Sequence, residues 1–218
     1  MSYEYIYQAA ENQAEANTLL LLHGTGGTEH DLLDIAQFID PNANILSLRG
    51  NEPEGPMNRF FKRHGEGNLD IENLKYHAKD LYNFIGALAT EKGFDPAKVV
   101  PIGYSNGANI AGGVLYLFDN PFKGAILLHP MVPFRDGTMP NLTHSPVFIG
   151  AGFNDPICAP SESEELKTSL ESAGSPVTLH WENYGHSLSM PELQAAKGWY
   201  ATAVGDRKST RLNSSHQI

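Results

Sequence analysis

Residues 102–109 read IGYSNGAN, which places a serine between two glycines. The apolar run VVPI leads into this segment, and the small-residue run AGGVLYLF follows it, so we expect a strand before Ser105 and a helix after it. Glycines at 103 and 107 permit the close backbone approach that a sharp strand-to-helix turn requires. Ser105 is therefore either the N-cap of that helix or a nucleophile in a G-x-S-x-G elbow.

Short strand-like runs alternate with helical periods along the rest of the chain. The clearest helical period has apolar residues spaced by three and four from Ile71 to Leu88. This alternation predicts an α/β fold in which a mostly parallel sheet of about seven strands carries helices on both faces. Because Pro101 has no backbone N–H, we expect an irregular start to the strand before Ser105. The predicted strands are 3–7, 18–22, 44–48, 99–102, 125–128, 147–149 and 177–181.

Length and composition predict one domain over residues 1–204. The chain has 218 residues, of which 41% are hydrophobic, enough for one ordinary core. The remaining segment 205–218 is polar and without periodicity, so a disordered tail is expected there. From Asp206 its sequence, DRKSTRLNSSH, resembles the translation of a common sequencing adapter. The tail is therefore not expected to contribute to the fold.

Charge and apolar patterning argue against several classes of partner. The formal net charge of −10 argues against nucleic-acid binding, which needs clustered Lys and Arg. No segment approaches the roughly 18 consecutive apolar residues of a membrane span, so no membrane insertion is expected. The single cysteine, Cys158, excludes an intramolecular disulfide and a Cys-rich metal site. The N-terminal sequence has no basic and apolar leader pattern, and we expect a cytoplasmic protein.

A serine nucleophile needs a base within hydrogen-bond reach and an acid that orients the base. In the fold that carries this elbow, the acid and the histidine follow the serine in that order, after later strands. Asp155 follows the strand PVFIGAG in the turn FNDP, and His186 follows the last strand in ENYGHS. Asp155 has an alternative interpretation as an Asp-Pro turn residue, and His186 competes with eight other histidines.

An acyl-transfer site also needs donors for the oxyanion of its tetrahedral intermediate. One donor is expected from the backbone N–H of Asn106, the residue after the serine. The second is expected from the loop HGTGG after the first central strand, with Thr25 as the assigned donor. Gly24 and Gly26 are neighbours that could share or replace this donor. The loop lacks the Lys and the spacing of a phosphate-binding motif, so no nucleotide cofactor, and no cofactor or metal of any kind, is predicted.

Four segments together resemble the small α/β-hydrolases of the phospholipase/carboxylesterase family, which includes acyl-protein thioesterases. They are LLLLHGTGG, GYSNGAN, FIGAGFNDP and WENYGHS. The segment RGNEPEGPMNRFFKRHGEGNLDIENL resembles the bacterial branch of this family associated with hydroquinone and quinone resistance. The resemblance implies ester hydrolysis by Ser105, His186 and Asp155, with Thr25 and Asn106 as the oxyanion hole.

The substrate site is predicted to be open and suited to small or short-acyl esters. Only residues 131–145 separate the strand AILL from the next one, too few for a helical cap domain. Its predicted walls are apolar with few charges, although each residue could instead pack in the core. A thioesterase or lysophospholipase, and a catalytically silent binding protein on the same fold, stay open as alternatives. A homodimer also stays open. The predicted wall residues are Met57, Phe61, Met131, Ile157 and Leu188.

Overall fold

The computed structural model describes residues 2–205, and the predicted tail lies outside them from residue 206 onward. Eleven strands and five α-helices make up this part of the chain, with a short 3₁₀ helix at Pro96–Lys98. In chain order they are β1 Tyr5–Gln8, β2 Thr18–Leu22, α1 Leu33–Ile39, β3 Asn44–Leu48, β4 Glu52–Glu54, β5 Met57–Arg59, β6 Arg63–Gly65, β7 Asn68–Leu69, α2 Ile71–Lys92, β8 Val99–Tyr104, α3 Asn106–Leu115, β9 Ala125–Leu128, β10 Val147–Gly152, α4 Pro160–Ser172, β11 Val177–Glu182 and α5 Met190–Ala203.

Seven strands form one sheet in the order β1-β3-β2-β8-β9-β10-β11. Only β1 runs antiparallel to its neighbour, β3, and every other pairing in this sheet is parallel. The predicted fold class, a mostly parallel seven-stranded sheet of the α/β-hydrolase type, is confirmed. One expectation is wrong: Pro101 lies opposite Leu20 in an unbroken register with β2, and β8 is regular. Pairing of β8 with β9 begins only at Ile102, so Pro101 precedes the ladder on that side.

Two apolar cores cover the two faces of the sheet. Alternate residues of β2 point into opposite cores: Leu20 and Leu22 pack in one, and Leu19 and Leu21 pack in the other. This is the period of two that a strand buried on both faces must show. Helices α2, α3 and α4 contribute buried residues to the first core, and α1 and α5 contribute to the second. Among residues 2–205, no helix is long and apolar enough to cross a membrane.

The connections at the carboxyl ends of the parallel strands define one side of the molecule. In the sheet, β2 has β3 on one side and β8 on the other. The strand order reverses at this point, and a crevice is expected there at the carboxyl ends of the strands. Two short hairpins, β4–β5 and β6–β7, fill the connection between β3 and α2. The segment 131–145 contains no helix and no strand, as expected for a chain without a cap domain after β9.

Candidate active site

Ser105 lies in a sharp turn between β8 and α3. Its backbone has φ 52° and ψ −112°, a conformation that non-glycine residues rarely adopt. A Cβ on Gly107 would overlap the carbonyl oxygen of Leu22, and one on Gly103 would collide with the first turn of α3. Both glycines of the motif are therefore required by close backbone approach. Ser105 occupies the N-cap position, but its side chain makes no capping hydrogen bond.

The Ser105 side chain instead contacts a histidine from a distant loop. Ser105 Oγ lies 2.8 Å from His186 Nε2, and His186 Nδ1 lies 2.7 Å from Asp155 Oδ2. The three residues follow β8, β10 and β11, whose carboxyl ends meet at the same edge of the sheet. The tertiary structure therefore brings Ser105, His186 and Asp155 into a continuous hydrogen-bonded chain.

Asp155 is a buried carboxylate with several donors. Its Oδ1 accepts hydrogen bonds from the backbone N–H groups of Ile157, at 2.8 Å, and Cys158, at 2.9 Å. Burial by itself raises the pKa of Asp155, but these two N–H groups and the imidazoles of His186 and His129 outweigh burial and lower it. Asp155 is therefore ionised at neutral pH and holds the His186 ring in place.

His129 is a second histidine on Asp155 that the sequence analysis did not assign to the site. Its Nδ1 lies 3.0 Å from Asp155 Oδ2, and its Nε2 lies 3.2 Å from Glu192 Oε1, with both side chains fully buried. Burial lowers the pKa of His129, but the carboxylates of Glu192 and Asp155 outweigh it, so the pKa is raised. The available signal was the position of His129 directly after β9, at the same edge of the sheet as Ser105.

His129, Asp155 and His186 also form a cluster whose donor atoms are close enough to bind a metal ion. Both imidazole Nδ1 atoms, however, lie at hydrogen-bond distance from the same oxygen of Asp155. Hydrogen bonds therefore account for the arrangement, and we assign it no metal.

The loop after β2 is held by His23. Gly50 N–H donates to His23 Nε2 at 2.9 Å, so Nε2 carries no proton and Nδ1 donates to the Gly24 carbonyl at 2.6 Å. Burial lowers the pKa of His23, in agreement with a neutral ring. Since the Gly24 carbonyl points at His23, the N–H of Thr25 in the same trans peptide points the opposite way. Gly26 N–H donates to the Asn58 carbonyl at 2.9 Å and is not free to act.

Asn106 is the first residue of α3, where backbone N–H groups have no partner within the helix. Its side chain is buried, and its Oδ1 accepts a hydrogen bond from Phe60 N–H at 2.7 Å. This bond ties the turn after Ser105 to the segment that follows β5. Thr25 and Asn106 both line the cavity beside Ser105.

A cavity of about 210 Å³ opens at Ser105 and His186. Of the five predicted wall residues, Met131 and Ile157 line it. The prediction is wrong for Phe61, which is fully buried in the core because it follows β5 into the sheet face. Met57 and Leu188 are likewise not among the lining residues: Met57 lies near Gly26 on the outside of the loop, and Leu188 packs against the second core.

The cavity is also more charged than the sequence analysis expected. Arg59 and Arg63 line it, together with Leu69 and Tyr104, and the hairpins β4–β5 and β6–β7 supply the two arginines. The sequence showed these arginines but not the hairpins that turn them toward Ser105. The expectation of few charges in the walls is therefore wrong.

Comparison with known proteins shows the family to which the chain belongs. Residues 4–203 match the model of a family described as Phospholipase/Carboxylesterase. The chain belongs to the phospholipase/carboxylesterase family. MhqD of Bacillus subtilis, a protein named as a hydrolase, is 45% identical over 92% of this chain and 99% of its own length.

Two solved structures superimpose on nearly the whole chain. The Bacillus cereus carboxylesterase is 50% identical, with a TM-score of 0.90 over 92% of this chain and 94% of its own. YahD, solved with malic acid, is 34% identical, with a TM-score of 0.87 over 93% of this chain and 100% of its own. The predicted relationship to this family and to its bacterial members is confirmed.

Proposed function

We propose that this protein is a serine carboxylesterase that hydrolyses small or short-acyl esters through an acyl-enzyme on Ser105. The observation that carries the proposal is the contact of 2.8 Å between Ser105 Oγ and His186 Nε2, in a chain that continues to Asp155. His186 takes the serine proton as Oγ attacks the ester carbonyl, and returns it to the departing alcohol. Water, activated by His186, then attacks the acyl carbonyl, and the acid leaves as Ser105 regains its proton.

Two backbone N–H groups are proposed to stabilise the oxyanion, those of Thr25 and Asn106. The bond from His23 to the Gly24 carbonyl supports Thr25, because it turns the Thr25 N–H away from His23. The start of α3 supports Asn106, because its N–H has no helical acceptor. Such preorganised donors typically contribute about 10²–10³ in kcat each.

A fluorophosphonate probe tests the proposal directly, because it phosphonylates an activated serine. We expect covalent labelling of the wild-type protein and loss of labelling in Ser105→Ala, with a matched control in Ser187→Ala, which changes an exposed serine on the His186 loop. Labelling that persists in Ser105→Ala would refute the assignment of the nucleophile. Folded wild-type protein that is not labelled would favour the silent binding protein.

Ester rather than thioester hydrolysis is proposed because the matched relatives include a protein titled a carboxylesterase. The malic acid named with YahD is a short acid, compatible with a short acyl group in a cavity of about 210 Å³. Cys158 is not a competing nucleophile, since burial raises the pKa of its thiol. We further propose a small-molecule ester as the partner, no cofactor, and a cytoplasmic location, which cell fractionation would test.

A further inference from the structure

Arg59 is a buried cation in the cavity wall that forms no ion pair with a described carboxylate. It is 3% exposed, and it lines the cavity together with Ser105. Its Nε donates to the Phe61 carbonyl at 3.0 Å and its Nη1 donates to Thr25 Oγ1. Within residues 2–205, no carboxylate lies at ion-pair distance from Arg59.

Arg63, the neighbouring arginine in the cavity wall, differs from Arg59 because it is ion-paired. Arg63 forms a bidentate ion pair with Glu54, at 2.9 and 2.8 Å, which raises its pKa. The pKa of Arg59 is instead lowered to about 10, first by burial and then by the charge of Arg63, which together outweigh the opposing charge of Glu54. Arg59 is still a cation at neutral pH. A buried cation that forms no ion pair is costly even when neutral groups accept its hydrogen bonds, so the retention of Arg59 beside Ser105 favours an anion that arrives with the ligand.

The charges of the cavity wall also favour an anionic ligand. No Asp or Glu is among the residues that line it, although the protein carries a formal net charge of −10. The nearest catalytic carboxylate, Asp155, has a side chain that is 1% exposed and accepts bonds from His186 and His129. The cavity is therefore a cationic recess on an acidic protein, where anions concentrate.

We propose that Arg59 binds a second carboxylate carried by the acyl part of the substrate, so that the preferred substrates are half-esters of short dicarboxylic acids. This inference rests on the proposed function and narrows its substrate class. The hydrogen bond to Thr25 holds the Arg59 guanidinium beside the loop that carries the proposed oxyanion donor. A substrate that reaches both groups therefore needs only a short spacer between its carboxylate and its ester carbonyl. The planar guanidinium keeps N–H donors beyond the two it uses, and a carboxylate accepts such donors in pairs.

The reaction is ordinary ester hydrolysis with the second carboxylate as a spectator. Ser105 Oγ forms a bond to the ester carbonyl carbon, the bond to the alcohol oxygen breaks, and the alcohol leaves with the serine proton delivered by His186. Water then cleaves the acyl-enzyme, and the product is the dicarboxylic acid. Arg59 holds the spectator carboxylate through both steps.

Two methyl esters of matched shape test the inference. Methyl hydrogen succinate carries a carboxylate where methyl 4-methylpentanoate carries an isopropyl group, and methanol release reports the hydrolysis of both. We expect wild-type kcat/KM to be about tenfold or more higher for the succinate. Arg59→Met should remove that preference, so that kcat/KM for the succinate falls by about tenfold more than kcat/KM for the neutral ester. Lys167→Met, which removes one positive charge from the exposed face of α4, should leave the preference unchanged.

Equal loss of both activities in folded Arg59→Met, or a wild-type preference for the neutral ester, would overturn the inference. A second measurement needs no variant: calorimetry should show succinate binding to the wild-type protein at least about tenfold more tightly than succinamide. Equal affinities would also overturn it. Failure of the wild-type protein to hydrolyse either ester, with succinate still bound selectively, would instead refute the proposed function and leave the anion subsite standing.

Discussion

At the scale of single residues, Gly107 shows most directly why the elbow tolerates no substitution. A methyl group at this position would overlap the Leu22 carbonyl at the end of β2, which is backbone and cannot rotate away. Gly86 is the matched contrast, because it lies on the exposed side of α2 with open space around the position of a Cβ.

We expect Gly107→Ala to lower the free energy of unfolding by about 3 kcal/mol or more, since α3 or β2 must shift to admit the methyl group. Gly86→Ala should raise the free energy of unfolding by up to about 1 kcal/mol, the helix-propensity difference between the two residues. Urea denaturation of both variants measures this. Equal stability of the two variants would contradict the close approach of α3 to β2.

His129 is a second residue whose contacts affect stability, in this case in a way that depends on pH. Glu192 and Asp155 together raise its pKa despite burial, so the folded state binds a proton that the unfolded state holds more weakly. The resulting stabilisation is complete below the unfolded-state pKa, near 6.5, and is lost as the pH rises through the higher folded-state pKa.

Glu192→Gln should therefore lower the free energy of unfolding by about 3 kcal/mol near pH 6, because it removes one of the two buried carboxylates that stabilise the His129 cation. The loss should be smaller at an alkaline pH above the folded-state pKa of His129, where the ring is neutral. Urea midpoints at the two pH values measure the difference. Glu171→Gln, which removes an exposed pair with Lys167, should show a small effect that does not change with pH. A loss that is the same at both pH values would argue against a charged His129.

At the scale of elements, the loop between β2 and α1 depends on a single imidazole. His23 spans from Gly50 N–H to the Gly24 carbonyl, and this fixes the orientation of the peptide between Gly24 and Thr25. If Thr25 N–H binds the oxyanion, loss of His23 removes a preorganised donor without touching Ser105 or His186.

We expect His23→Ala to lower kcat for a short-acyl ester by about 10²-fold, with a much smaller change in KM, because the oxyanion exists only in the transition state. His30→Ala, which changes an exposed histidine on the same loop, should retain full activity. Steady-state kinetics on the two variants check this. Wild-type kcat in folded His23→Ala would remove Thr25 from the oxyanion hole.

The hairpins β4–β5 and β6–β7 are the elements that sequence reasoning did not find. Their strands are two or three residues long and show no alternation of apolar and polar residues, so no period marks them. The hairpin β4–β5 is held by bonds from Asn58 to the loop after β2 and from Phe60 to Asn106. The ion pair of Arg63 with Glu54 joins β6–β7 to β4–β5. The continuous apolar runs TLLLL and AILL, by contrast, carry the local signal of a buried strand, and their bounds were predicted correctly.

At the scale of the whole molecule, no described element covers the cavity from the segment after β9, and the cavity is small. Its volume of about 210 Å³ lies below the roughly 300–1,000 Å³ of drug-sized pockets. A long acyl chain would extend past Met131 and Ile157 into solvent and would gain little from burial.

We therefore expect acetyl to hexanoyl 4-nitrophenyl esters to be hydrolysed faster than the palmitoyl ester, with no activation by micelles or vesicles. Initial rates across the series, below and above the critical micelle concentration, measure this. The same series on Ser105→Ala corrects for spontaneous hydrolysis. A maximum at long acyl chains would favour the lysophospholipase or acyl-protein thioesterase alternative.

The sequence alone determined the sheet, its strands and the order of Ser105, Asp155 and His186, because apolar periods and turn residues are local signals. It also identified Thr25 and Asn106 as candidates, since a donor's place in the chain follows from the elbow. Only the tertiary structure decided which side chains face the cavity: Arg59 and Arg63 turn into it, whereas Phe61 turns into the core. It alone placed His129 between Asp155 and Glu192. The physical reason is that these contacts join elements that are far apart in the chain. Packing between such elements, rather than local propensity, sets the direction of each side chain.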